Sequence, residues 1–178
     1  MGRFDKYNVN LKGLKASALL MEFDLDNAFF ADIDGEDFQK GTVKAVVTVK
    51  KNREIFDFSF ALNGTVVVPC DRCLDDLEIE VATENTLRVK FGEDYIDEGD
   101  VVVVPEQDGD INIAWYLYEF IVLALPMKRV HAPGKCNQEM MGKLNKHTAS
   151  ANEDYEGEAQ EIDPRWAGLK NIQIEEDN

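Results

Sequence analysis

Between Gly41 and Lys51 the side chains alternate in character. Val43, Ala45, Val47 and Val49 share one parity; Thr42, Lys44, Val46, Thr48 and Lys50 share the other. A helix repeats its faces every 3.6 residues, so a period of two calls for a strand with one face against a core. The same period recurs in Leu19–Leu25, through Leu19, Met21, Phe23 and Leu25, and in Ile55–Leu62, through Phe56, Phe58 and Phe60. It appears again in Leu77–Val81 and Asn85–Phe91, more loosely in Phe4–Leu11, and Val101–Val104 reads as a short apolar strand. Asn27–Phe30 reads as a short turn plugging the end of a sheet. Asn63-Gly64 reads as a two-residue hairpin turn, because both central positions of such a turn favour positive φ. Successive segments joined by short turns give an α+β chain, mainly an antiparallel β meander or a partly open barrel.

One stretch breaks the strand period. Ile113–Leu125 (IAWYLYEFIVLAL) is apolar nearly all round, so it is expected to form one buried helix, over about 113–125. Pro126 ends it by removing an amide donor and disfavouring helix at the preceding residue. Glu119, its single charge, fits an exposed edge better than a buried acceptor near the cysteines. These readings place a β-rich domain at 1–136, a flexible linker at 137–163 and a short docking helix or tail at 164–178. Within the linker, Ala149–Asp163 is acidic and rich in small residues, hence a flexible acidic C-terminal tail. Asp163 and Pro164 suit the cap and first position of a helix carrying Arg165 and Trp166.

Composition limits the function classes. The chain has 178 residues, 44% of them hydrophobic, enough for a core without disulfide staples. It has three cysteines and no apolar leader, which suits the cytoplasm better than secretion. The longest apolar run is too short to span a bilayer, so no membrane role is expected. A net charge of −16 disfavours nucleic-acid binding by overall charge and favours a basic partner. The clearly basic stretch of the second half is Met127–His147, with Lys128, Arg129 and Lys135. The acidic loops lack the spacing of a calcium loop. Phosphate-binding loops, nucleophile elbows and zinc-protease motifs are absent from the sequence, so an enzyme is not expected.

Chemistry concentrates in the cysteines. Cys70 and Cys73 form a C-x-x-C, which aims two sulfurs at one point, and Arg72 between them favours the thiolates. His131 and Cys136, with Pro133-Gly134 bending the chain between them, could supply the remaining two donors of a tetrahedral zinc site. The alternatives are a dithiol redox pair or cysteines that simply pack. The residues after Cys73 read as strand, whereas a redox C-x-x-C opens a helix.

Four motifs in order resemble the YceD family, the large ribosomal RNA subunit accumulation proteins. They are Gly64–Leu74 (GTVVVPCDRCL), Tyr118–Pro126 (YEFIVLALP), His131 with Cys136, and Asp163–Trp166 (DPRW). Cys136 is the last cysteine, so a four-thiolate site is out of reach. The resemblance implies a cytoplasmic, non-enzymatic factor supporting accumulation or processing of large-subunit (23S) rRNA, with a possible metal. The expected partner is the large ribosomal subunit precursor, met through rRNA, a basic ribosomal protein, or both. Contacts are expected at Arg72, Lys128, Arg129, Lys135, Arg165 and Trp166. The alternative is a zinc-binding or dithiol redox protein not tied to ribosomes.

Overall fold

The computed structural model describes residues 2–14, 18–97 and 101–148. Strand β1 is Asn8–Asn10, β2 is Ala18–Leu25, and helix α1 is Asn27–Ile33. Strands β3 (Lys40–Asn52), β4 (Ile55–Pro69) and β5 (Asp76–Gly92) are long; β6 (Ile96–Asp97), β7 (Val101–Pro105) and β8 (Asp110–Asn112) are short. Helices α2 (Ala114–Ala124) and α3 (Gln138–His147) follow. The main sheet is open and six-stranded, in the order β2-β3-β4-β5-β7-β6, and a two-stranded sheet pairs β1 with β8. The fold is α+β and mostly antiparallel, as its alternating segments require. The main sheet stays open rather than closing on itself, with β2 and β6 at its edges. The meander breaks at β7, which pairs parallel to β5.

The alternation sorts the two faces of the sheet. Val43, Ala45, Val47, Val49, Phe56, Phe58, Phe60 and Leu62 are buried against the helices. Phe60 meets Phe120 of α2 at 5.0 Å between ring centroids, and Phe38 meets Tyr118 at the same distance. Full burial of each such side chain contributes about 1.5–3 kcal/mol before entropy is counted. No described helix packs on the opposite face.

Four expectations need correction. Asn63-Gly64 is not a turn: β4 runs through it, with Asn63 opposite both Lys44 and Ala82. Gly64 is there because β3 passes close; a Cβ at that position would lie 2.2 Å from the Thr42 carbonyl oxygen. Likewise Leu77–Val81 and Asn85–Phe91 are one strand, β5. Asn27–Phe30 opens a helix rather than a turn, since the Asp26 side chain accepts the Phe29 amide at 3.0 Å. Seven residues are too few to show a helical period. The run from Phe4 to Leu11 is strand only at Asn8–Asn10, after a 3-10 turn at Asp5–Tyr7.

The main helix matches its expected span. Asn112 caps it by accepting the Ala114 amide at 3.0 Å, and Leu125 before Pro126 is extended. Glu119 lies toward solvent and accepts the Trp115 indole N–H at 2.6 Å. The stretch beyond Asn137, expected as linker, opens with α3. Asn137 caps it through the Glu139 and Met140 amides, and Lys143 pairs with Glu139 at 2.9 Å. Residues 149–178, including the expected acidic tail and docking segment, lie outside the described residues.

Candidate metal centre

The β4–β5 connection is the C-x-x-C turn. Pro69 and Asp76 are the last paired residues, and the chain between them folds tightly: the Cys70 amide donates to the Asp75 carbonyl and the Leu74 amide to the Cys70 carbonyl, both at 2.9 Å. Leu74 closes the turn in the left-handed region, with φ of 64°. A side chain there costs about 1–2 kcal/mol relative to glycine. Pro126 redirects the chain after α2, and the following loop returns across this turn.

Asp71 and Arg129 bind the two loops together. The Asp71 amide donates to the Arg129 carbonyl at 2.7 Å, and the Arg129 amide donates to the Asp71 carboxylate at 2.6 Å. The Arg129 guanidinium then spans Asp71 and Asp37, at 3.9 and 3.2 Å. Asn137 donates to the Asp75 carboxylate at 3.3 Å. Sequence reading missed this frame. Asp37 is remote in the chain and nothing local marks it; Asp71 was visible only as a residue inside the C-x-x-C.

The frame brings all four expected donors together. The ligand atoms of Cys70, Cys73, His131 and Cys136 lie within 4.8 Å of one another. Cys70 Sγ is 4.0 Å from Cys136 Sγ, and Cys73 Sγ is 3.4 Å from His131 Nδ1. A tetrahedral zinc with Zn–S of ~2.3 Å and Zn–N of ~2.0–2.1 Å requires roughly 3.8 Å between sulfurs and roughly 3.5 Å between sulfur and nitrogen. The donor set therefore fits such an ion in type, number and spacing. His131 is oriented from behind: its Nε2 lies 3.2 Å from the Asp76 carbonyl, which leaves Nδ1 facing the sulfurs.

Electrostatics around the thiols is uneven. Burial pushes the Cys70 thiol up, but the backbone amides of Arg72, Cys73 and His131, with the Cys73 side chain, bring it down to about 6. Cys136 goes the other way, raised by burial and by its contacts with Cys70 and Cys73. Without a metal, the thiolate form is therefore favoured at Cys70 over Cys136. The turn leads into β5 rather than a helix, so the helix terminus that activates a redox C-x-x-C is missing here.

Arg72, Lys128 and Lys135 are exposed on the two loops that carry the ligands. Arg129 is half-buried and engaged by the two aspartates. Arg165 and Trp166 lie outside the described residues.

An open sheet whose end is closed by two loops sharing three thiols and an imidazole defines a domain with a candidate Cys3His metal knuckle. The family model for the Large ribosomal RNA subunit accumulation protein YceD matches residues 58–173, and the chain belongs to that family. The matched stretch takes in the C-x-x-C turn, α2 and the loop bearing His131 and Cys136. No curated protein and no solved structure matches the chain. The family takes its name from accumulation of the large ribosomal subunit RNA. No described helix is long and apolar enough to cross a membrane.

Proposed function

We propose that this chain is a non-catalytic, cytoplasmic factor that supports accumulation of large-subunit rRNA by binding the large-subunit precursor, with its knuckle held by zinc. The observation carrying this reading is the closed donor set, four protein ligand atoms within 4.8 Å of one another. Catalytic zinc keeps one coordination position open for water or substrate, whereas four protein ligands suit a structural ion. When bound, zinc would cross-link the β4–β5 turn to the loop after α2. Cys70, Cys73, His131 and Cys136 would hold it, and the Asp71–Arg129 bridge would keep the loops in place.

The charge of −16 favours encounter with a basic ribosomal protein, since opposite charges steer association. Arg72, Lys128 and Lys135 beside the knuckle, and Arg165 and Trp166 in sequence beyond it, are proposed as auxiliary contacts to acidic groups of the precursor. Arg129 is left out of that contact set, because its charge is spent on Asp37 and Asp71.

Metal analysis of the untagged chain, together with sedimentation of cell extract, tests the reading. One zinc per chain, lost in Cys70→Ser, and co-migration with large-subunit precursors are expected. A metal-free native protein would refute the knuckle. Absence from every precursor fraction would refute the ribosomal role.

A further inference from the structure

The outward row of β5 changes sign along its length. It runs Glu78, Glu80, Ala82, Glu84, Thr86, Arg88, Lys90, all exposed, while the inward row is apolar except at Thr83 and Asn85. The acids lie toward the knuckle and the bases at the far end. Register carries the basic end across the sheet. Arg88 is opposite Asp57 and, through it, Lys50; Lys90 is opposite Ile55 and, through it, Asn52. The next row inward is Thr48, Ser59 and Thr86, three hydroxyls on the same uncovered face. Arg53 stands in the β3–β4 turn with φ of 57°. Beside it lies a groove of about 660 Å³, with Lys51, Arg53 and Lys90, the acids Glu54 and Glu106, and an apolar wall of Ile55, Phe56 and Phe91.

These cations are uncommitted. Among the described residues none of Lys50, Lys51, Arg53, Arg88 and Lys90 makes an ion pair, although Asp57, Glu54 and Glu106 are nearby. Lys51 lies over the Phe56 ring at 5.5 Å. Strand rows ~4.8 Å apart set these side chains roughly 5–10 Å from one another, on a flat surface. The 15 residues of β4, at ~3.3 Å each, put this end roughly 45 Å from Cys70. That is several Debye lengths of ~8 Å at physiological salt, so the remote acids of the chain do not cancel it.

We infer that the β3–β4 hairpin end, with Lys50, Arg53, Arg88 and Lys90 beside the Thr48–Ser59–Thr86 row, is a docking surface for the phosphate backbone of RNA. This rests on the ribosomal reading above and assigns the direct RNA contact to the end of the sheet opposite the knuckle. Lysine, arginine and hydroxyl side chains are the usual donors to phosphate oxygens. Apolar side chains are present at this end too, with Ile55 36% and Ile96 46% exposed and Phe56 and Phe91 in the groove, but the outward row itself carries cations and hydroxyls, the donors that phosphate takes. The surface carries no group set to read base edges, so binding is independent of sequence. The chain would thus have two ends, with a metal-held protein-facing end and a phosphate-facing end.

The test uses the full chain and an in vitro transcript of large-subunit rRNA, with dissociation constants measured over a salt series. Lys50→Glu with Arg88→Glu and Lys90→Glu should weaken binding at least about tenfold. It should also make the salt slope shallower by about 2, three contacts at ~0.7 each. Lys143→Glu with Lys146→Glu, exposed on α3, should leave both unchanged. Unchanged metal content and circular dichroism show that the triple variant is folded. Wild-type-like binding by the folded triple variant overturns the inference, as does a wild-type chain that binds no transcript. If such a chain still migrates with large-subunit precursors, the ribosomal reading stands and only this surface falls. Loss of precursor migration in the wild type would fell the ribosomal reading itself. Binding of an rRNA-free protein fraction that the triple variant loses would assign the surface to an acidic protein and overturn the RNA assignment.

Discussion

Asp71→Ala tests whether the protein, rather than the metal, aligns the two ligand loops. The substitution removes the acceptor of the Arg129 amide, 2.6 Å away, and one of the two partners of the guanidinium. A hydrogen bond to a charged group contributes ~1.5–3 kcal/mol. This one is exposed, so the lower end applies. The ion pair at 3.9 Å involves an aspartate side chain 42% exposed and adds at most about 0.5 kcal/mol after screening. The reciprocal bond from the Asp71 amide survives in alanine. The total is about 2 kcal/mol, or a fall in Tm of roughly 4–8 °C for a domain of this size. Because Asp71 holds the loop that carries His131 and Cys136, zinc affinity should fall ~10–100-fold, as it does when groups that orient ligands are removed. Urea melts of the metal-loaded chain and competition against a calibrated chelator read the two effects separately. Asp71→Asn, which keeps an acceptor without the charge, should recover about half of each. Asp71→Ala with wild-type stability and wild-type zinc affinity would refute the argument, and would mean that the ligands alone hold the loops.

Three further outcomes follow from the geometry. Gly64→Val should destabilise the chain by at least about 1–3 kcal/mol, since its Cβ would press on the Thr42 carbonyl from a neighbouring strand; a neutral effect in a denaturant titration would contradict the close approach. Leu74→Gly should stabilise it by roughly 0.5–1 kcal/mol without altering metal content, because the left-handed turn is freed of a side chain and unfolded-state entropy takes back part of the gain. The metal-free chain should gain stability as pH rises from about 6 to about 9. The folded Cys70 thiol sits near 6 against an ordinary value of 9.0, so its contribution is complete above 9 and is lost as pH falls through 6. The raised Cys136 thiol has the opposite sign, so the gain should reverse above about pH 9. Thermal melts across this range, compared with Cys70→Ser, test both limbs; identical pH profiles would refute the assignment.

Much of the molecule could be read directly from the chain. Period-two alternation identified the strands at Leu19–Leu25 and Gly41–Lys51 and their inward faces, because a strand's parity is a local property. The apolar run before Pro126 identified the buried helix for a similar reason. The four candidate ligands were legible by chemistry, since few residue types bind zinc. The errors fell where a local signal was overruled from outside. Asn63-Gly64 carries the signature of a turn, yet neighbours on both sides hold it in a strand. The glycine answers to the approach of Thr42 rather than to its own φ. Asp26-Asn27 announces a helix too short to display its period.

Other features existed only once the strands were paired. Lys50, Arg53, Arg88 and Lys90 come from separate parts of the chain, and antiparallel register alone gathers them at one end. Arg129 has the look of a free cation in sequence and becomes a structural tie through Asp37 and Asp71. Residue types and periods are written locally, so the chain by itself determined which faces are apolar and which groups can ligate. Distances between remote segments depend on register and loop closure, so the tertiary structure alone decided that two loops share a donor set and that Lys50, Arg88 and Lys90 meet at one end of the sheet.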